Sequence, residues 1–222
     1  MDLPLRTVRP LPAPLGNDGR MSRTWTHVGR CWSNGEPFLA LDGDLLPDWS
    51  GETAEHYEQL VPDLAHDLTS IPVGAGRAAV VLTDADIADE GWLEVFRADD
   101  DAVAVLQVSA VHYPAAVAAA LAQPEDAAEP GDHVTVPSGR FAFISAALDG
   151  AGLEAAPLRP ESPGPLPVSG DFDERVAGAG APLLRATAHG YRVWVQWMTE
   201  LREDAVFARW LFVPASGDIP SR

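Results

Sequence analysis

A chain of 222 residues can form one large domain or two small ones, with a core that needs neither disulfides nor metals. Its 33 acidic residues face 15 basic ones, every one an arginine, and the formal net charge of -18 argues against nucleic acid or anionic membrane as direct partners, whose phosphates would repel it. The single cysteine, Cys31, rules out an intramolecular disulfide and a cysteine-based zinc cluster.

Residues 1–23 carry four prolines and scattered charge without periodicity and read as a flexible N-terminal arm. Those prolines interrupt the apolar helix a signal peptide needs, and no run approaches the ~20 apolar residues of a membrane span, so a cytoplasmic protein is expected. Order is expected from Trp25. Residues 24–32 and 37–41 are two apolar runs meeting at Asn34-Gly35, the signal of a first β-hairpin, because both residues tolerate the positive φ of a tight turn. Residues 50–68 place Tyr57, Leu60, Val61, Leu64 and Leu68 at helical spacing, with Pro62 expected to end or kink the helix. A Gly74-Ala75-Gly76 turn then feeds a buried strand over 78–82. Strands are expected over 92–96 and 102–110, joined by Asp99-Asp100-Asp101, which suits a solvated turn. Residues 114–121 form an alanine-rich helix with proline in its first turn.

The acidic, proline-containing stretch 123–132 is the best candidate boundary, dividing an N-terminal α+β unit (24–122) from a C-terminal strand-rich unit (131–215), unless the two are continuous. After it, 133–136 and 140–147 read as strands around Pro137-Ser138-Gly139. Residues 150–182 yield no more than one short helix. In 191–198 the alternation puts Tyr191, Val193, Val195 and Trp197 on one face and Arg192, Trp194, Gln196 and Met198 on the other. With 206–213 this strand makes an antiparallel hairpin covered on both sides, and Trp49, Trp197 and Trp210 are expected to be largely buried. The fold class is therefore α+β: mixed and antiparallel sheets, few helices and two strand-rich halves. No repeat stands at solenoid spacing, although a strand-rich unit on each side of residue 130 permits two diverged halves.

No catalytic motif emerges. The six histidines lack metal-ligand spacing, and neither Ser138-Gly139 nor Ser33-Asn34-Gly35 is a nucleophile elbow. The glycines at 74–76 precede a strand, where a phosphate site needs a helix amino terminus. The reading is of a non-catalytic protein with no cofactor and no metal. Two acidic clusters, Asp84, Asp86, Asp89 and Glu90, and Asp99, Asp100 and Asp101, stand out as partner-binding candidates, because grouped carboxylates focus a negative field that steers a basic protein.

Several motif positions fall in one order: Gly35 and Pro37, Trp49 and Gly51, Tyr57, Val73-Gly74 and Gly76, and Asp84. They continue with Ser138-Gly139-Arg140-Phe141, Ala146, Gly150 and Gly190-Tyr191-Arg192-Val193. In this order the chain resembles the immunity protein 21 family of bacterial polymorphic toxin systems, over residues 29–97 and, with weaker motifs, 136–214. Glu36, His56, Thr83 and Ala85 depart from the pattern. The resemblance implies a protein encoded beside a toxin that binds the toxic domain in the cytoplasm and blocks it by occlusion. It carries no catalytic residues over. The alternatives from the residues alone are an enzyme with a carboxylate-based site or an accessory protein-binding module.

Overall fold

The computed structural model describes residues 23–63, 69–82, 87, 91–167, 180–202 and 204–215. Among these residues twelve strands build two facing six-stranded sheets. The first is antiparallel throughout and runs β1 (Trp25–Ser33), β5 (Gly91–Ala98), β6 (Val103–Ser109), β12 (Val206–Pro214), β11 (Gly190–Glu200), β7 (Glu129–Thr135). The second runs β3 (Ser70–Val73), β4 (Gly76–Val81), β2 (Phe38–Asp42), β8 (Arg140–Ser145), β10 (Ala181–Arg185), β9 (Leu158–Pro160), and is mixed because β9 lies parallel to β10. Two short α-helices, α1 (His56–Leu60) and α2 (Tyr113–Leu121), join short 3₁₀ segments among the described residues. The α+β class with mixed and antiparallel sheets is what the alternating strands and few helical stretches predict.

Strand alternation separates three apolar layers. Val95, Val105, Val193 and Trp210 of the first sheet meet Ala40, Val81, Phe141 and Phe143 of the second between the sheets. Leu39, Leu41, Val80 and Ile144 point the other way, onto Leu46, Trp49 and Leu60. Phe96, Leu106, Phe207 and Leu211 turn outward beneath Ala116, Val117 and Ala120 of α2. Both faces of the β11–β12 hairpin are thus covered, as its aromatics imply. Tyr191, Val193, Val195 and Trp197 pack into the between-sheet layer and Trp194 into the outer one. Trp49 and Trp210 are buried, whereas Trp197 is only partly so.

The first expected hairpin is not formed. β1 pairs with β5 in one sheet, whereas β2 pairs with β4 and β8 in the other, so the Asn34–Pro37 connection crosses the sandwich. Every residue of β2 is buried, which requires a strand on each side of it and a layer on each face. A strand so placed cannot also be the neighbour of β1. Gly35, at φ 97, still supplies the reversal that Asn-Gly predicted. The helix expected over 50–68 shortens to α1 and yields to a 3₁₀ turn at Val61–Asp63, where Pro62 withholds a backbone donor. Residues 64–68 lie outside the described residues. In the stretch left without strands, β9 lies at Leu158–Pro160, and 168–179 lie outside the described residues. The 123–132 stretch is already strand from Glu129, and each sheet takes three strands from either side of it.

The strand orders conceal a repeat. The first reads 1-5-6 and then 12-11-7, the second 3-4-2 and then 8-10-9, so each sheet is palindromic under the exchange of β1–β6 for β7–β12. The two strand pairs at the centres obey one numerical shift. Ala40 faces Phe143 in one sheet and Leu106 faces Arg209 in the other, and both pairs are 103 residues apart. The same shift carries Phe38↔Val81 onto Phe141↔Leu184, and Phe96↔Ala104 onto Thr199↔Phe207. It also carries Asp101-Ala102-Val103 onto Asp204-Ala205-Val206. Both aspartates are left-handed, at φ 66 and φ 56, in turns closed by Ala98 N–H to Ala102 O at 2.8 Å and Leu201 N–H to Ala205 O at 2.7 Å. The outer strands have diverged: β9 reverses direction relative to β3, and β7 pairs with β11 in a different register from β1 with β5.

Candidate functional site

Of the first acidic cluster, Asp84, Asp86, Asp89 and Glu90 all lie outside the described residues; Ile87, within the same stretch, is buried in the between-sheet core. The second cluster occupies the β5–β6 turn as expected, but its three carboxylates do different things. Asp99 and Asp100 are exposed, and Asp100 accepts from Arg23 Nε at 2.8 Å. Asp101 turns inward. Its Oδ2 accepts from Thr187 N–H (2.9 Å), Thr187 Oγ1 (2.9 Å), Ala188 N–H (3.1 Å) and the Tyr191 hydroxyl (2.9 Å), while Arg97 lies 3.6 Å from Oδ1. Desolvation alone would raise the Asp101 pKa; the hydrogen bonds from Thr187, Tyr191 and Ala188 outweigh it and hold the carboxyl below its usual range. Asp101 therefore fastens the N-terminal turn to the β10–β11 connection and is spent inside the fold.

Among the described residues, the most enclosed carboxylate is one that no feature of the sequence singles out. Glu94 points outward from β5, is fully buried, and is saturated by donors: His27 Nε2 at 2.7 Å, Arg30 at 2.7 and 3.3 Å, and the Tyr113 hydroxyl at 3.0 Å. Arg30 also stacks 4.3 Å over the Trp92 ring. Burial first, then Glu94, pushes the Tyr113 phenol well up, so it remains a donor. The cluster ties α2 and β1 to β5 and leaves no acceptor position for a substrate proton.

An open cleft of about 670 Å³ lies where the β1–β2 connection meets α1 and the end of β8. Trp32, Asn34, Gly35, Glu36, Glu52 and Tyr57 line it, with Cys31 and Phe38 at its floor. Trp32 Nε1 donates to Asn34 Oδ1 at 2.9 Å, and Asn34 N–H donates to Glu36 Oε2 at 2.7 Å, which holds the rim in place. The Tyr57 phenol is raised by desolvation and then by Glu36 and Glu52, so both carboxylates act on the same space. Burial first, then Glu94 and Glu36, drives the Cys31 thiol far up, and it stays protonated and a poor nucleophile. Of these residues the sequence pointed to Cys31, Asn34-Gly35, Glu36 and Tyr57, none of them as part of a site; nothing in the spacing of Glu36 and Glu52 foretells that they line one cleft.

Among the described residues, no group of three or more His, Cys, Asp or Glu could hold a metal ion, and no helix is long and apolar enough to cross a membrane. His56 Nδ1 accepts from Ser50 N–H at 3.1 Å and its ring lies against Trp49; His66 lies outside the described residues. Comparison with protein-family models, with curated proteins and with solved structures finds no match for this chain.

Proposed function

We propose that this protein is a non-catalytic immunity protein that binds a basic toxin domain and blocks it by occlusion, as the immunity protein 21 family does. The observation that carries the reading is the net charge of -18, which suits a cationic partner and repels phosphate. The engaged acids agree with it: Glu94 and Asp101 are committed to their own donors, so the charge left for a partner is that of exposed acids and of the cleft. Several positions that carry the family resemblance serve backbone and core. Gly35, Gly51, Gly74 and Gly139 have positive φ, and Trp49 and Tyr191 are buried, so the resemblance speaks for a shared fold more than for a shared target.

The test is to mix the purified protein with the C-terminal domain of a toxin encoded beside it. A stable stoichiometric complex that silences the toxin supports the reading; no complex with such a domain overturns it. The second reading, an enzyme with a carboxylate-based site, is favoured by one observation, the convergence of Glu36, Glu52 and Tyr57 in the cleft. Turnover abolished by Glu36→Gln or Glu52→Gln in a hydrolase screen would favour it over occlusion.

A further inference from the structure

Among the described residues the two sheets end in four edge strands, β1 and β7 in the first, β3 and β9 in the second. An edge strand is an open template, because every second residue turns a backbone N–H and C=O outward, and an incoming strand needs several of them in succession. In β3 the register says which residues these are. Thr69 O accepts from Val80 N–H at 3.0 Å, so Thr69, Ile71 and Val73 bond to β4 while Ser70 and Pro72 face away. Pro72 has no N–H to offer, and Ser70 O already accepts from Arg77 Nη2 at 3.4 Å. In β9, Ala181 N–H donates to Pro157 O at 2.9 Å and Glu161 N–H donates to Leu183 O at 3.1 Å, so Leu158 and Pro160 face away and Pro160 again withholds a donor. In β7, Val136 N–H donates to His189 O at 2.9 Å, which turns His133 and Thr135 outward. His133 N–H is taken by the Asp132 carboxylate at 2.8 Å, Asp132 N–H by Thr69 Oγ1 at 3.1 Å, and Pro130 has none. The fourth edge is strapped. His27 O and Val28 O of β1 accept from Gly164 N–H (3.0 Å) and Ser162 N–H (2.9 Å), and Gly29 lies so close to Pro182 that an added Cβ would stand 3.2 Å from its ring. Pro163 and Pro165 leave that strap without a continuous row of donors of its own.

We infer that both sheets are closed to strand addition, so that neither a second copy of this chain nor a partner protein extends them, and recognition falls to loops and outer surfaces. The supply of donors decides it. β3 and β9 each keep one outward N–H, that of Ser70 and that of Leu158, and β7 keeps that of Thr135 at its end. The net gain from one such bond is smaller than the entropy lost in ordering the residues of an incoming strand. The net charge of -18 adds repulsion between copies, but it would attract a basic partner, and against that partner the prolines and the strap stand alone. A toxin domain would therefore be met by side chains and loops, not by a shared strand.

The test uses the full-length protein and a variant with Pro72→Val, Pro130→Val and Pro160→Val, which restores an outward donor to each of the three proline edges. Wild type should remain monomeric in sedimentation as concentration is raised. The variant should self-associate at concentrations at least about tenfold lower than any at which wild type does. Backbone amide exchange at the replaced positions should slow as the variant associates, whereas association through unfolded chain would leave those amides unprotected. In ¹⁵N-labelled wild type, exchange at Ser70, Thr135 and Leu158 should be indifferent to concentration, and this measurement carries the test if the variant does not fold. A variant as monomeric as wild type, association of the variant without that protection, or wild-type amides that become protected as concentration rises would each overturn the closure. With a toxin domain added, protection of the same three amides in a stable complex would overturn the closure while supporting the immunity reading. A domain that fails to bind would count against the immunity reading alone.

Discussion

Replacing Asp101 tests whether the acidic turn is a clasp or a surface. The carboxylate receives four hydrogen bonds, one of them from Tyr191, which is fully buried. Asp101→Ala leaves the tyrosine hydroxyl without its charged acceptor, a loss of about 2 kcal/mol, and exposes two backbone amides that water can partly serve, for about 1 kcal/mol more. Alanine at φ 66 adds about 1 kcal/mol of left-handed strain. The expected cost is about 4 kcal/mol in chemical denaturation at pH 7, against about 1–2 kcal/mol for Asp101→Asn, which keeps the shape and the tolerance of positive φ. Because the folded pKa is depressed, the carboxylate's contribution is fully present above the ordinary aspartate value of about 3.9 and is lost as pH falls through the lower folded value. The gap between wild type and Asp101→Asn should therefore narrow as pH falls below the ordinary aspartate value of about 3.9. Asp204→Asn, at the corresponding exposed turn, should change stability by no more than about 0.5 kcal/mol. An Asp101→Ala cost under about 1 kcal/mol, or a gap that ignores pH, would refute the clasp.

Four further outcomes follow from the packing. Trp210→Ala should cost ~3–5 kcal/mol by the same denaturation assay, and Trp197→Ala, only partly buried in contact with it, about 2 kcal/mol. Glu94→Ala should cost ~3–5 kcal/mol, because Arg30 and His27 would remain enclosed without their carboxylate. Gly150→Ala should lower the melting temperature well beyond a typical surface change, since its Cβ would stand 2.0 Å from the carbonyl oxygen of Leu46, and backbone cannot step aside as a flexible side chain can.

The strands were legible where one signal dominated. Alternation in 191–198 assigned both faces of β11, and three aspartates between apolar runs marked the β5–β6 turn. What failed were the partners of strands. Asn34-Gly35 announces a reversal of the chain, yet whether the next strand returns beside β1 or crosses to the facing sheet depends on which neighbours bury it, and β4 and β8 come from 38 to 107 residues further along. The repeat was printed in Asp101-Ala102-Val103 and Asp204-Ala205-Val206, but three residues in common are too few to stand out until strand order and register show their equivalence. The cleft was invisible for a similar reason. Its lining comes from the β1–β2 connection, α1 and the end of β8, which no pattern in the sequence brings together.

The measurement that bears most directly on the proposed function is the association rate of this protein with the toxin domain proposed as its partner, as salt is varied. Exposed charges more than ~10 Å apart are screened at 0.1 M ionic strength, so steering by a chain of net charge -18 should weaken steeply over that range. Fast association that slows as salt rises, and that slows again when Asp84, Asp86, Asp89 and Glu90 become their amides with the fold intact, is the predicted result. The amides of Asp99 and Asp100 test the second turn separately from Asp101, whose carboxylate is engaged within the fold. An association rate indifferent to salt and to both sets of amides would contradict electrostatic recognition of a basic partner.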